Sequence, residues 1–198
     1  EPPPLSFKSH LLNLCQDEFE DEHYAGLREH LRAQAPDADD DELDEAELKY
    51  RARKLGNMKF MGELFKIGML RAKIVHRYII MPLVVDATNA RGDVAPERRE
   101  VCVEKFGKLI TTIGRALERT PRAAPLVEQY FATATALSAD KSLPSRHRFL
   151  LLDLIDLRRG GWKARRKSEA PQRIDQLHSD AAAGSDGQYD ADLPSTFA

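Results

Sequence analysis

The sequence holds two cysteines and one tryptophan in 198 residues, and no apolar run approaches the roughly 20 residues that cross a bilayer. Cys15 and Cys102 stand far apart without paired spacing, which excludes a disulfide-stapled scaffold. Both fall on apolar helical positions, where a buried, reduced thiol is expected, so the chain reads as intracellular. The start, Glu1-Pro-Pro-Pro, lacks the basic and apolar regions of a secretory signal. Catalytic patterns are missing too. His10, His23, His30, His76, His147 and His178 are scattered, with no pair at metal-ligand spacing beside Cys or Asp. No Gly-rich phosphate loop and no nucleophile elbow occurs. Asp153 and Asp156 form no evident acid–base pocket. No catalytic residue, metal or cofactor is therefore expected. No segment shows the period-2 alternation of a strand.

What is present is helical. The periodicity predicts helices over about 5–33, 43–68, 71–85, 96–118, 122–138, 143–159 and 171–183. Pro36 followed by Asp37, Asp39, Asp40 and Asp41 predicts an acidic, mobile loop. Asp86 to Asp93 is a second break, closed by Pro96. Pro121 and Pro125 mark one helix start, and Ser142-Leu-Pro-Ser another, with proline inside the first turn. Gly160-Gly161 ends that helix. The tripeptide Arg91-Gly92-Asp93 is read as coincidence in an intracellular chain. Residues 184–198 have few apolar groups and are expected to be a disordered tail, leaving 1–183 as the domain.

Residues 53–66 are the most informative stretch. Leu55, Met58, Met61 and Phe65 form a helical stripe with Gly62 on the same face. Gly56 and Gly62 each cost a helix about 1 kcal/mol against Ala. Close approach of a neighbouring helix is the expected compensation. Helix pairs of about 40 residues joined by short loops fit a HEAT-type α-solenoid, with an irregular helical bundle as the alternative.

Net charge is −2, but the charges are partitioned. Residues 17–47 hold fourteen acids against two arginines, and residues 49–115 hold fifteen Lys/Arg against six acids. Residues 141–173 hold ten bases and three acids. Such blocks can steer an anionic partner to the basic part.

Leu55-Gly-Asn-Met-Lys-Phe-Met-Gly-Glu-Leu-Phe-Lys resembles the middle domain of the eukaryotic translation initiation factor 4 gamma family. Phe7 to Glu20, Leu109-Ile-Thr-Thr-Ile-Gly and Ser145 to Arg158 resemble it as well, in order. Gly161-Trp162, Arg165-Arg166 and Ile174 to His178 follow in register, so coverage runs from residue 7 to about 180. The resemblance implies an all-α fold, an α-solenoid of HEAT-type antiparallel helix pairs with about seven helices here. It also implies a start at the second helix of repeat two, without part of the family's helicase-binding surface. Arg91–Pro96 stands as an insertion. The implied function is a non-catalytic, cytoplasmic scaffold of cap-dependent translation initiation that binds and activates a DEAD-box helicase, with auxiliary, low-specificity RNA binding. A cap-binding protein would join through a region outside this chain, and no membrane is involved. Two alternatives stand beside it: mainly an RNA-binding module, or a paralogue serving another DEAD-box helicase in mRNA decay or splicing.

Two surfaces are candidates. On the helix from Arg148, Leu151, Leu154, Ile155 and Arg158 make a core seam, while Phe149, Leu152, Asp153 and Asp156 share another face. An aromatic, an aliphatic and two carboxylates suit a docking ledge. The bland alternative puts Phe149 in the core and the aspartates in solvent. The resemblance assigns Phe149, Leu152, Asp153, Asp156 and Arg159 to helicase binding. The basic set Lys49, Arg51, Arg53, Lys54 and Lys59, with Lys163, Arg165, Arg166 and Lys167, is compatible with RNA phosphates. The first five are equally compatible with pairing to the acidic segment upstream. Trp162 reads first as a ring pinning the chain back onto the helices, since one aromatic is a thin stacking platform. Asn57 reads as a hydrogen-bonded structural amide.

Overall fold

The longest helix of the described residues begins at a polar cap. Asp39 accepts the Glu42 backbone N–H at 2.8 Å, and the Glu42 carboxylate accepts the Asp39 N–H at 3.3 Å. This reciprocal cap satisfies two orphan donors, and Asp40, Asp41 and Glu42 meet the positive end of the helix dipole. The aspartates expected to form a mobile loop are therefore a helix start, and that helix opens at Asp40 rather than at 43. The computed structural model describes residues 6–20, 26–90 and 92–163. The expected helix over 171–183 and the tail 184–198 lie outside them.

Seven helices follow among the described residues: α1 (Phe7–Glu20), α2 (Leu27–Gln34), α3 (Asp40–Lys66), α4, α5 (Pro96–Glu118), α6 (Ala124–Ala139) and α7 (Ser145–Arg159). α4 runs on through Ala72–Ile74, Val75–Ile80 and Met81–Ala87, with π geometry in its middle segment. No strand occurs among the described residues. The single helix expected over 5–33 is two. Gly26 takes φ 86°, ψ 22° ahead of Leu27, a left-handed conformation that an α-helix does not pass through. The π segment has a cause in Pro82, which offers no N–H to the Tyr78 carbonyl and would press its ring on it. The wider turn absorbs the misfit, and the Met81 N–H reaches back to the His76 carbonyl.

The architecture is an all-α, HEAT-type solenoid of antiparallel helix pairs. α3, α5 and α7 stack as one layer, α4 lies on α5, and α6 packs on α7 and α5. α1 and α2 lie against α3. The core draws Met58, Met61 and Leu64 from α3, Ile80 and Leu83 from α4, and Phe106, Ile110 and Ile113 from α5. Tyr130 and Ala134 enter from α6, Leu151 and Leu154 from α7. Burial pushes the Tyr130 phenol up to about 12, and its oxygen sits 2.6 Å from His76 Nδ1 on α4. Cys15 and Cys102 are both buried, and burial pushes the Cys15 thiol up.

α1 is tied to α3 through its carbonyls. Asn57 donates to the Cys15 carbonyl at 3.0 Å, the structural role expected of it. Lys54 donates to the Glu18 carbonyl at 2.9 Å and pairs with the Glu18 carboxylate at 2.9 Å. Gly62 is the close-approach glycine: a Cβ there would stand 2.7 Å from Thr112 Cγ2 and 3.1 Å from Ile113 Cγ2 on α5. Gly56 is not, since a Cβ there meets nothing within 4 Å. It faces solvent, so its helix cost stands without compensation from packing.

The two glycines should therefore respond oppositely to alanine. Gly62→Ala is expected to lower stability by about 1–3 kcal/mol through overpacking. Gly56→Ala is expected to raise it by about 0.5–1 kcal/mol. Urea denaturation of both variants measures this; equal responses would remove Gly62 from the α3–α5 seam.

Candidate protein-docking site

α7 divides into the two faces its spacing predicts. Leu151 and Leu154 are 0% and 3% exposed, with Ile155 and Arg158 half-buried beside them. On the other side Phe149 is 63% and Leu152 43% exposed, and Asp153 and Asp156 are exposed. Phe149 is not a core residue. Arg159 Nη1 stands 3.7 Å from Asp156 Oδ1 at the end of the same face. An open groove of about 310 Å³ runs between α6 and α7, lined by Phe131, Ala132, Thr135, Ile155 and Arg158 among others.

Three devices hold α7 in place. At its start, Arg99 of α5 reaches across the loop: Nη2 donates to Asp140 Oδ2 at 2.8 Å and Nη1 to Ser142 Oγ at 2.9 Å. Its Nε donates to the Ala87 carbonyl of α4 at 3.1 Å. The Ser142 N–H and hydroxyl both donate to Asp140 Oδ1, at 2.8 and 2.6 Å. Pro144 then stands at the N-cap position rather than inside the first turn, and Ser145 opens the helix. One turn on, buried His147 places Nε2 3.2 Å from Glu104 Oε1, which Arg146 also approaches at 3.2 Å.

The far end is latched. Arg158 Nε donates to Glu118 Oε1 at 2.6 Å, the guanidinium also pairs with Glu128, and it lies 4.5 Å from the Phe131 ring centroid. After Gly160, Gly161 and Trp162 take φ 66° and 62°, turning the chain back. Trp162 Nε1 donates to Glu118 Oε2 at 2.6 Å, and its ring meets Phe131 edge-on at 5.9 Å between centroids. A Cβ on Gly114 would collide with that indole, so α5 carries glycine where the tryptophan lands. The tryptophan is pinned, not presented for stacking. Arg99, Glu118 and Glu128 were not among the predicted site residues. Their side-chain partners lie 30 to 44 positions away, beyond the reach of any helical period.

The basic stripe fares differently. Lys54 is 2% exposed and is a structural cation, which corrects its assignment to an RNA surface. Lys49 pairs with Glu45 at 2.8 Å, Arg51 with Glu47 at 2.6 Å and Arg53 with Glu18 at 3.0 Å. These are the pairings with the upstream acids that the sequence left open. Lys59 and Lys163 are exposed; Arg165, Arg166 and Lys167 lie outside the described residues.

The profile of the MIF4G domain matches residues 4–160. The chain is 36% identical over 186 residues to "Eukaryotic translation initiation factor 4 gamma 3" of Mus musculus, covering 89% of this chain and 11% of that protein. It is 38% identical over 184 residues to "Eukaryotic translation initiation factor 4G" of Cucumis melo, covering 90% of this chain and 9% of the relative. Against the protein of that name from Arabidopsis thaliana the identity is 35% over 185 residues, covering 90% and 10%. The chain thus spans 9–11% of the length of these relatives.

The brace at the start of α7 carries a pH signature. Bonds from Ser142 and Arg99 pull the Asp140 carboxyl down to about 2, below the ordinary value of about 3.9. A depressed carboxyl contributes stability above about pH 4, which is lost as pH falls through about 2. Asp140 keeps 32% exposure, so screening limits the contribution to about 1 kcal/mol. Asp140→Asn is expected to cost that amount at pH 6 and progressively less as pH falls from about 4 through 2, read by thermal melts across the range. A cost independent of pH would show that the carboxylate charge is not what holds the loop.

Proposed function

The chain belongs to the MIF4G domain family, and from that membership we propose that it is a non-catalytic scaffold of translation initiation whose α7 ledge docks a DEAD-box RNA helicase. The observation that carries this reading is Phe149, 63% exposed on a helix whose other face buries Leu151 and Leu154. An exposed aromatic beside Leu152, Asp153 and Asp156 offers an apolar anchor with carboxylates ready for a partner's Arg or Lys. Arg159, exposed at the end of the ledge, adds a contact of the opposite sign. The scaffold acts by favouring a half-closed arrangement of the two helicase lobes, so that ATP and RNA binding require less reorganisation. In energetic terms it biases a two-state equilibrium in its partner.

The setting is cytoplasmic, cap-dependent mRNA recruitment, with a cap-binding protein attached outside this chain and RNA contact as an auxiliary function. Relatives named as initiation factor 4G support this branch over mRNA decay or splicing. A mainly RNA-binding role is less well supported, because Lys49, Arg51 and Arg53 are engaged in ion pairs and Lys54 is buried.

Titration of this chain against an initiation helicase, with and without ATP and RNA, tests the reading. Wild type is expected to bind and to raise the ATPase rate. Phe149→Ala, or Asp153→Lys with Asp156→Lys, is expected to weaken binding by roughly 30-fold or more, the scale of a true hot spot. Because these side chains are exposed, unchanged melting curves will accompany the loss. Binding and stimulation that survive both changes would remove the ledge as the docking site.

A further inference from the structure

α4 presents a surface unlike the paired stripe of α3. Between Glu63 and Asp86 the sequence contains no acidic residue, yet it carries Lys66, Arg71, Lys73 and Arg77. The helix buries Val75, Ile79, Ile80 and Leu83, which turns the intervening residues outward. Lys73, Ile74, Arg77, Tyr78 and Met81 are all exposed, with Arg71 exposed at the N-cap position. Tyr78 is 62% exposed, and the Arg77 guanidinium carbon lies 5.8 Å from its ring centroid. Arg71, Lys73 and Arg77 have no carboxylate partner among the described residues. Lys49, Arg51, Arg53 and Arg98, by contrast, sit against acids, while Lys59, Lys108 and Arg115 are exposed single cations on other helices.

Three exposed cations left without a carboxylate over two turns of chain raise the local positive potential, so the arrangement favours an incoming anion. Their partner is polyanionic, because a single carboxylate would neutralise only one of them. The aromatic narrows the class. A tyrosine ring left mostly in solvent, with a guanidinium over it, matches the π-face of an unpaired base. The cations beside Tyr78 set it apart from Phe149, the exposed aromatic of α7, whose neighbours on its face are the carboxylates of Asp153 and Asp156. Ile74 and Tyr78 also rim a groove of about 330 Å³ between α1 and α4, with Leu12 and Cys15 in its wall and the polar Gln16 and Glu20 also lining it. That apolar wall is open to a base splayed out of a single strand.

We propose that this face of α4 is a single-stranded RNA contact, with Arg71, Lys73 and Arg77 on phosphates and Tyr78 stacked on a base. The proposal rests on the auxiliary RNA contact proposed above and moves it from the α3 stripe to α4.

Anisotropy of a fluorescein-labelled, single-stranded 20-nucleotide RNA, titrated with the whole chain over a series of salt concentrations, tests it. Arg71→Gln, Lys73→Gln and Arg77→Gln together are compared with Lys49→Gln, Arg51→Gln and Arg53→Gln together, which remove the same charge. All six side chains are exposed, and melting curves verify folding. The α4 triple variant is expected to lose about tenfold or more in affinity at low salt, with the log–log salt slope reduced by about 2. The α3 triple variant is expected to keep most of both. Tyr78→Ala is expected to lose about tenfold with the slope unchanged, since stacking releases no counterions. Equal losses in the two triple variants would reduce the effect to net charge and overturn the site. So would an α4 variant that keeps RNA but loses an amphipathic Leu/Glu peptide bound by wild type, which would assign the face to a protein partner. Failure of wild type to bind RNA at 50 mM salt would instead overturn the auxiliary RNA reading itself, and this site with it.

Discussion

Helix α5 has to bury almost its whole circumference, and the other helices are arranged to let it. It touches α3, α4, α6 and α7, and its buried residues include Glu104 and Lys105 as well as the apolar ones. A helix enclosed in this way needs two concessions from its neighbours. One is space, met by Gly62 of α3 where Thr112 and Ile113 press close, and by Gly107 of α5 where Leu150 of α7 enters. The other is charge compensation. His147 and Arg146 approach Glu104 from α7, and the Lys105 ammonium lies 5.0 Å from the Phe19 ring centroid of α1. Removing one partner of a buried charge is costly because the other is left behind. The identities of α1 and α7 are thereby coupled to a helix that lies between them.

Much of this was legible in the chain. The stripe through Met58 and Met61 located the inner face of α3, and the seam Leu151–Leu154 located that of α7, because helical period and burial are directly linked. The boundaries were less legible where side chains compete with periodicity. Asp39 and Glu42 looked like part of an acidic loop, since a capping box and a solvated acid run use the same residues. Gly26 lies inside a pattern that otherwise continues, and only its backbone angle reveals the break. Gly56 and Gly62 could not be told apart, because the cost of a glycine is local while its compensation comes from another helix.

The candidate surfaces show the same division. Spacing put Phe149 and Leu152 on a face apart from the Leu151–Leu154 seam, a one-helix question, but left a buried Phe149 open until the fold showed that face exposed. The fate of the basic stripe was not, because Lys54 and Arg53 find Glu18 across 36 and 35 positions. Charge blocks in a sequence report supply, and only the fold reports which charges are already spent on each other. The cations of the acid-free run at α4 stay available for the converse reason: the sequence holds no acid between Glu63 and Asp86, and none of Arg71, Lys73 and Arg77 pairs with a carboxylate among the described residues.

The double fastening of α7 has a kinetic consequence. Arg99 clamps its entry and the Trp162–Glu118–Arg158 cluster its exit, so the ledge is rigid before any partner arrives. Such a surface loses little conformational freedom on association. In the docking proposed above, the entropy of ordering would fall on the incoming molecule, and competing partners would be sorted by how well each is itself pre-shaped. Encounter rates would be similar for all of them, and residence time would carry the discrimination.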